Sequence, residues 1–581
     1  MKKTSFLKIL ISILLFLFAK QNFAQGTWTP LVNVCPDTCG GVMLLLSDGT
    51  VMAKSSQGGG DGIGNRWSKL TPDTNGSYIN GKWSAMSAMH NTRLYFSSQV
   101  LKDGRVYVAG GEYGTGGATG ETYDPLTDIW TYAPTPPQTV SDANSKMLPD
   151  GRVLQALVAG TYLDDVIYNP TTNTYTTAPS CINTHSESTW LGLPDGSILF
   201  VDNILFGAGL SSERYIPSSN QWIADANLPD SLYDLAGYET GGACMLPDGR
   251  AFFIGATGHT AYYTPSGSIS PGSWQAGPDL PNHLGPSDGA AAMMVNGKIL
   301  IAAAPANTST GTYKSPTWFY EFDYNTNTYL KVNAPIGGDT LSEPCYLTNM
   351  LDLPDGNVLF ANLGEKQYYV YTPNGMPVAS GKPTINNITQ QAGCIYRITG
   401  TLFNGISEGA VYGDDWQMAT NYPIIRLTSG AYVYYMRSFN WNRTGVQTGN
   451  LSDTTYFTVP SGLQADTYSL VVTANGISSA PFTFVYTPCT TAINLQSGKN
   501  SVRVYPNPAI EKTVLEFNSP GGEEFKIKMV DLFGRIVKEE SGTALAGNNS
   551  HTINLADIAK GVYEVVLEKG NTFVKTKIVV K

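Results

Sequence analysis

The stretch LPDGNVLFANLG, residues 353–364, contains a short phrase that recurs along the chain. Its Asp-Gly pair stands between two short apolar runs, which is a strong short-range signal of a β-hairpin. The phrase occurs seven times, six times with Asp-Gly and once, in MVNGKILIAAA, with Asn-Gly. The glycines of these predicted hairpins are Gly49, Gly104, Gly151, Gly196, Gly249, Gly297 and Gly356.

A second turn signal follows most of these hairpins. Examples are YDPLTDIW (Tyr123–Trp130), YNPTTNTY (Tyr168–Tyr175) and YIPSSNQW (Tyr215–Trp222). Each predicts a further hairpin, so that one unit has four strands. The units recur every 45 to 59 residues. A period near fifty with four strands is typical of a β-propeller blade, and seven units predict a seven-bladed propeller.

The N-terminal segment GTWTPL (Gly26–Leu31) supplies a strand that the last unit lacks. That last unit has the turn YTPNG (Tyr371–Gly375) but no aromatic strand after it. We expect the N-terminal segment to complete this blade, because a closed ring leaves no sheet edge open to aggregation.

The repeat period ends near Gly381, and alternating apolar and polar segments such as DTYSLVVTANGISSAPFTFVY follow. This alternation is typical of strands in a two-layer sandwich. We therefore predict an all-β chain with a propeller at 25–380, a sandwich domain at 381–489, a linker at 490–500 and a small C-terminal β-sandwich at 501–581.

Residues 1–24 have the pattern of a secretory signal peptide. Lys2, Lys3 and Lys8 accompany the apolar run Ile9–Phe18, and a small residue, Ala24, ends the segment. Ten apolar residues are too few to span a bilayer, so we predict no membrane span in the mature protein. Residues 25–498 carry 20 Lys and Arg against 36 Asp and Glu. Such an acidic body disfavours non-specific nucleic-acid binding.

Seven cysteines are present, an odd number for an exported chain. Cys35 and Cys39 in CPDTC are expected to form a small disulfide loop. A zinc site is the alternative for Cys35 and Cys39, but no second pair of Cys or His follows at ligand spacing. Cys394 and Cys489 lie near the two ends of the sandwich and form a second candidate pair.

The repeats resemble Kelch repeats. Together with RWSKLTPDTNGSYINGKW (Arg66–Trp83) and AFFIGATGHTAYYTP (Ala251–Pro265), they resemble bacterial Kelch proteins related to galactose oxidase, over about residues 26–487. The resemblance implies that the sandwich is immunoglobulin-like, as in the domain that follows the propeller of galactose oxidase.

The C-terminal segments VYPNP, DLFGRIV, KGVYEVVLEKG and KTKIVVK resemble the sorting domain of type IX secretion in the Bacteroidetes. This resemblance implies that residues 501–581 engage the type IX secretion machinery. It also implies that the protein is secreted or held on the outer cell surface.

The resemblance to galactose oxidase raises the question of copper, which those enzymes hold with two Tyr and two His. One of those Tyr is crosslinked to a Cys. Counted from the hairpin glycines, the two Tyr positions fall on Tyr95 and Tyr346, and the Cys falls near Cys39. The His positions fall on Leu347 and on Phe439 or Asn440. Leu and Phe cannot coordinate a metal, so we expect no copper and disfavour a copper radical oxidase.

Residues nine or ten positions before the hairpin glycines are expected to ring one mouth of the propeller channel. They are Tyr95, Asp142, Glu187, Glu239, Asp288 and Tyr346. The carboxylates among them are candidate oxygen ligands for Ca²⁺. Glu187 and Asp142 are candidates for acid and base catalysis on a glycan, with His185 in proton transfer. Carboxylates at strand starts also serve structural roles, by accepting hydrogen bonds from loop N–H groups.

Three functions are compatible with this sequence. The leading hypothesis is that the mouth binds an extracellular glycan or another polymer, without a required cofactor. The alternatives are a glycan-processing enzyme that uses the mouth carboxylates and an oxidase with rearranged copper ligands.

Overall fold

The computed structural model describes residues 25–140, 144–157, 164–183, 185, 189–201, 210–391, 394–410, 420–460, 462–488, 502–531, 535–569 and 572–581. The described residues form strands and three short 3₁₀ turns but no α-helix. The 3₁₀ turns are Pro281–His283, Cys345–Leu347 and Ala379–Gly381. The all-β prediction is confirmed. The predicted signal peptide and the predicted linker lie outside the described residues.

Seven small antiparallel sheets, here blades I to VII, follow one another along the described chain. From the innermost strand outward, their strands are as follows: blade I, Met43–Leu45, Val51–Lys54, Trp67–Thr71, Lys82–Ala85; blade II, Ser97–Val100, Val106–Ala109, Gly120–Asp124, Ile129–Tyr132; blade III, Ser145–Met147, Val153–Ala156, Asp165–Asn169, Thr174–Thr177; blade IV, Trp190–Gly192, Ile198–Val201, Ser212–Ile216, Gln221–Ala224; blade V, Ala243–Met245, Ala251–Ile254, Thr260–Thr264, Ser273–Ala276; blade VI, Ala291–Met293, Ile299–Pro305, Trp318–Asp323, Thr328–Val332; blade VII, Thr348–Asp352, Val358–Asn362, Tyr369–Thr372, Thr27–Pro30.

Two short pairings lie beside these sheets. Arg93–Leu94 pairs with Tyr113–Gly114, and Leu284–Gly285 pairs with the end of the second strand of blade VI.

The innermost strands surround a central channel. Neighbouring innermost strands contact each other from blade II through to blade VII, and that of blade VII contacts that of blade I. The outer strand of blade VII is the N-terminal segment, with Trp28 opposite Tyr371. The predicted closure of the last blade by the N-terminal segment is therefore confirmed.

Each hairpin between the first two strands of a blade has the same turn chemistry. All seven hairpin glycines have a positive φ, between 78° and 91°, which a residue with a Cβ atom adopts at a cost. The Asp or Asn before each glycine accepts a hydrogen bond from the N–H two residues further on, at 2.9–3.2 Å. These side chains therefore stabilise turns.

The hydrophobic core lies between adjacent blades. Trp67 of blade I stacks on Trp130 of blade II at a ring-centroid distance of 5.9 Å. Phe252 of blade V stacks on Phe322 of blade VI at 4.6 Å. Aromatic rings of this kind bury large areas, so that each blade stabilises the next.

The sandwich domain follows blade VII and belongs to the same compact unit, which ends at Pro488. Strand Tyr432–Phe439 pairs with one sheet near its start and with a second sheet near its end. Tyr396, Phe457 and Phe484 pack together between the layers, at centroid distances of 5.0–5.9 Å. The other strands are Thr384–Gln390, Ile395–Thr401, Ile424–Ser429, Asp453–Thr458, Asp466–Ala474, Ile477–Ser478 and Phe482–Tyr486.

The second compact unit begins at Cys489 and has its own core. One of its sheets has three strands, Arg503–Tyr505, Lys512–Ser519 and Gly547–Asn554. The other has four, Glu524–Val530, Ile536–Thr543, Gly561–Lys569 and Thr572–Val580. Phe517 and Phe525 pack together from the two sheets at 4.9 Å.

The cysteines divide into disulfides and buried thiols. Cys35 is bonded to Cys39, as the sequence predicts. Cys394 is disulfide-bonded, whereas Cys489, its predicted partner, lies outside the described residues. Cys181, Cys244 and Cys345 are buried thiols. Within the described ranges, no helix is long and apolar enough to cross a membrane.

Candidate functional site

The two ends of the propeller channel differ in what covers them. The sandwich domain packs on the end that carries the Asp-Gly hairpins, here the hairpin end. There Arg437 donates a hydrogen bond to the carbonyl of Asp103, and the Gln447 amide donates to the carbonyl of Leu246. The opposite end, where the innermost strands begin, is here called the mouth.

A segment of the sandwich domain enters the channel from the hairpin end. Strand Glu408–Ala410 pairs with the innermost strand of blade V, with Glu408 opposite Met245 and Ala410 opposite Ala243. This register directs the chain from the hairpin end toward the mouth. Residues 411–419, which follow, lie outside the described residues.

The inserted segment brings a buried ion pair into the channel. The ammonium of Lys146, on the innermost strand of blade III, contacts a carboxylate oxygen of Glu408, and both side chains are buried. A cavity of about 50 Å³ lies beside this pair and is also lined by Gln99 and Asn421. Such a volume has room for a few water molecules among polar partners.

Asp352 adds a second acidic group near the hairpin end of the channel. It ends the innermost strand of blade VII and is 4% exposed. Burial raises the pKa of its carboxyl well above the ordinary value, because water no longer solvates the charged form. Burial also raises the pKa of the nearby Cys244 thiol, and the negative charges of Asp352 and Glu408 raise it further.

A connected polar cluster lies at the mouth beside blades V and VI. The hydroxyl of Tyr313 donates to Oε1 of Glu239 across 2.5 Å. The backbone N–H of Tyr313 donates to the side-chain oxygen of Asn307 at 2.7 Å. Asn307 in turn donates to Asp234 at 2.7 Å and to the Ser287 hydroxyl at 2.8 Å. We call these five residues the mouth cluster.

Aromatic side chains stand beside the mouth cluster. Tyr346, in the 3₁₀ turn that leads into blade VII, meets the Tyr313 ring edge-on at a centroid distance of 5.4 Å. Tyr313 is 38% exposed and Tyr238 is 53% exposed. Two predicted mouth residues, Glu239 and Tyr346, are thus joined through Tyr313, which the sequence analysis did not single out.

The loop of blade VI that carries Tyr313 and Asn307 gives a partial sequence signal. Residues 306–317 connect the second and third strands of blade VI, whereas residues 255–259 make the same connection in blade V. Long loops on a rigid scaffold often carry binding residues. The length of this loop indicates where a binding site lies, but it does not identify which side chains turn toward the channel.

The other predicted mouth residues have varied positions. Tyr95 has a positive φ of 51° and meets Tyr113 at a ring distance of 6.2 Å. The N–H of Asp288 donates to the carbonyl of Thr240, in the segment that leads into blade V. Asp142 and Glu187 lie outside the described residues, so their convergence as an acid and base pair stays a prediction.

His185 does not lie with the mouth cluster. Its ring is 1% exposed and is packed against Trp190, Phe200 and Trp222 in the core beside blades III and IV. The prediction of His185 as a proton-transfer group for mouth carboxylates does not agree with this placement. Counting positions along the chain gave its distance from the hairpin but not the direction of its side chain.

The described residues do not fit the copper site that the resemblance to galactose oxidase implies. Leu347 stands beside Tyr346, where a His ligand is expected, and the ring next to Tyr346 is Tyr313. The sulfur of Cys39 is bonded to Cys35 and is therefore not available for a thioether with Tyr95. A set of phenols without imidazole is a poor copper(II) site.

The predicted location of the last copper ligand is also corrected. Phe439 packs on Tyr456 at 5.9 Å, and the N–H of Asn440 donates to the carbonyl of Lys102 in a hairpin of blade II. Both residues therefore lie at the hairpin end. The stretch of the sandwich that enters the channel is instead Glu408–Ala410.

Comparison with known proteins supports two parts of this architecture. Residues 100–137 match the Kelch motif. Residues 503–581 match the secretion system C-terminal sorting domain. The chain is a Kelch-repeat protein exported by type IX secretion. Its destination is therefore the cell surface or the extracellular space, as the sequence analysis predicted.

A solved structure has a similar fold. It is a fungal alcohol oxidase with catalytic diversity among the AA5 family, determined in complex with copper. This Kelch-repeat protein is similar to it with 15% sequence identity and a TM-score of 0.47, over 80% of this chain and 100% of that chain. The bound copper belongs to the structure of that fungal enzyme. No curated protein sequence matches this Kelch-repeat protein significantly.

Proposed function

We propose that this exported Kelch-repeat protein binds extracellular glycans through the mouth of its propeller. The observation that carries the proposal is the Tyr313–Glu239 hydrogen bond with Tyr346 at its side. It combines aromatic faces, which pack on the C–H groups of a sugar, with side-chain oxygens that accept hydrogen bonds from sugar hydroxyls. Binding sites typically consist of such apolar surface and a few fixed polar groups.

The polar groups of the mouth cluster are held before a ligand arrives. Asp234 accepts hydrogen bonds from Asn307 and from the N–H groups of Ala236 and Gly237. Asn307 also fixes the backbone of Tyr313. A ligand that meets prearranged groups loses less conformational entropy on binding, so that a modest surface can bind usefully.

Export favours a polymer of the extracellular space as the ligand. The acidic body of the chain disfavours non-specific polyanion binding, so we propose neutral or cationic glycans. Catalysis by Asp142 and Glu187 and calcium binding by the mouth carboxylates remain secondary hypotheses. Within the described mouth, Glu239 and Asp234 also accept hydrogen bonds from protein groups, which orders their carboxylates for a ligand.

A glycan array tests the proposal. The labelled mature protein, residues 25–581, is expected to bind a subset of neutral or cationic glycans, and Tyr313→Ala is expected to abolish that binding. Tyr432→Ala is the matched control, because Tyr432 is a 57% exposed tyrosine on the sandwich domain. Binding that survives Tyr313→Ala unchanged, or no binding to any glycan on the array, would overturn the proposal.

A further inference from the structure

Three buried side chains of different chemistry converge beside blades III and IV. Asp165 starts the third strand of blade III, Cys181 lies in the connection between the blades, and His185 lies shortly before blade IV. One carboxylate oxygen, the thiol sulfur and one imidazole nitrogen all lie within 4.8 Å of one another. The three residues are 1%, 5% and 1% exposed, respectively.

The donor set of this cluster suits one class of metal ion. A thiolate, an imidazole and a carboxylate are ligands of zinc, which accepts sulfur, nitrogen and oxygen together. Calcium and magnesium prefer oxygen alone and are disfavoured by the Cys and His. A divalent ion, one thiolate, one carboxylate and a neutral imidazole also sum to zero charge. A neutral complex is the form that an apolar interior tolerates best.

The surroundings of the cluster are those of a metal site with positioned ligands. The indole N–H of Trp222 donates to the second oxygen of Asp165 at 2.8 Å and fixes the direction of the carboxylate. Groups that orient metal ligands in this way strongly affect metal affinity. The rings of Trp190 and Phe200 also pack on His185, which restricts access of water.

The backbone between the Cys and the His is held by a separate carboxylate. Glu213, on the third strand of blade IV, accepts hydrogen bonds from the N–H groups of Ile182 at 2.8 Å and Asn183 at 2.6 Å. Blade II has a related arrangement, in which Glu121 accepts from the N–H groups of His90 and Asn91. There Arg93 occupies the position that corresponds to His185 and forms an ion pair with Glu121.

We propose that Asp165, Cys181 and His185 bind one zinc ion, with a water molecule as its fourth ligand, and that the ion fixes the connection between blades III and IV. Zinc binding converts the Cys181 thiol to a thiolate, and the released proton goes to solvent. The ion links two blades through their interior. The site lies apart from the mouth cluster, so this proposal does not depend on glycan binding.

Metal substitution tests the site with the full mature chain. Protein prepared with Co²⁺ in place of zinc is expected to show a thiolate-to-cobalt charge-transfer band in the near ultraviolet. The band is expected to disappear in Cys181→Ser and to persist in Cys244→Ser. Cys244 is the matched control because it is also a fully buried thiol, on the innermost strand of blade V. A band that survives Cys181→Ser, or is absent from the wild type, overturns the proposal.

A second measurement needs no variant, which matters if Cys181→Ser fails to fold. X-ray absorption at the zinc edge of the wild-type protein is expected to show one sulfur at about 2.3 Å with nitrogen and oxygen ligands at about 2.0–2.2 Å. About one equivalent of zinc is expected to remain after desalting. A ligand shell without sulfur, or protein free of zinc after loading, means that Asp165 and His185 form only a hydrogen-bonded pair, and the proposal fails.

Discussion

The hydroxyl of Tyr313 donates to the carboxylate of Glu239 across 2.5 Å, and this hydrogen bond joins the loop of blade VI to the irregular segment that leads into blade V. The two residues are 74 positions apart in the chain. Tyr313 has a positive φ of 48°, a conformation that costs free energy in a residue with a side chain. Strained residues of this kind often occur at functional sites, and this one lies at the proposed glycan site.

We expect Tyr313→Phe to weaken glycan binding by about tenfold, because loss of one hydrogen bond to a buried carboxylate costs about 1–2 kcal/mol. The variant retains the ring that faces Tyr346, so the aromatic contact remains. Isothermal titration with an array-positive glycan measures the change, and Tyr432→Phe provides the control. An unchanged affinity would mean that the Glu239 hydrogen bond does not organise the site.

Gly237→Ala is expected to disrupt the mouth cluster. A Cβ atom on Gly237 would overlap the side-chain nitrogen of Asn307, so the hydrogen bond from Asn307 to Asp234 would be lost. Gly445→Ala is the matched control, because a Cβ atom there meets nothing within 4 Å. We expect weaker glycan binding and a lower melting temperature in the first variant only. Equal behaviour of the two variants would contradict this account of the cluster.

Lys146→Met is expected to destabilise the propeller by about 3–5 kcal/mol, because it leaves the carboxylate of Glu408 buried without its cation. The double variant Lys146→Met with Glu408→Gln removes both charges and is expected to regain most of that loss. Calorimetric melting of the mature chain compares the three proteins. A single variant as stable as the wild type would show that the ion pair does not hold the inserted segment in the channel.

Asp352→Asn is expected to stabilise the fold at neutral pH and to have little effect near pH 4. The raised pKa means that folded Asp352 keeps its proton above about pH 4, where an unfolded aspartate releases it. The folded state then binds more protons than the unfolded state, so wild-type stability falls as pH rises, by about 1.4 kcal/mol per unit, up to the folded pKa. Melting temperatures of both proteins at pH 4, 5.5 and 7 measure the effect. A difference that does not change with pH would refute it.

The sequence predicted the blades because their information is local. Each Asp-Gly or Asn-Gly hairpin is a property of adjacent residues, and the positive φ of Gly356 is typical of all seven. The closing strand Thr27–Pro30 was also predictable, because its aromatic pattern repeats that of the outer strands. The repeated units therefore predict the propeller with almost no knowledge of contacts between residues distant in the sequence.

The candidate site was only partly predictable, because it depends on long-range contacts. Glu239 and Tyr346 were found by counting from the hairpins, but Tyr313 and Asn307 come from an irregular loop with no repeating pattern. The sequence of Glu408–Ala410 has no pattern that predicts its insertion into the channel. His185 was misplaced because position along a strand does not determine which way a side chain points.

Binding at the propeller mouth can be measured by titrating the mature protein with an array-positive glycan while intrinsic tyrosine and tryptophan fluorescence is monitored. We expect saturable binding that is lost in the double variant Tyr313→Ala with Tyr346→Ala and kept in Tyr432→Ala. Saturable binding of equal affinity in all three proteins would contradict it, because the glycan would then bind away from the propeller mouth.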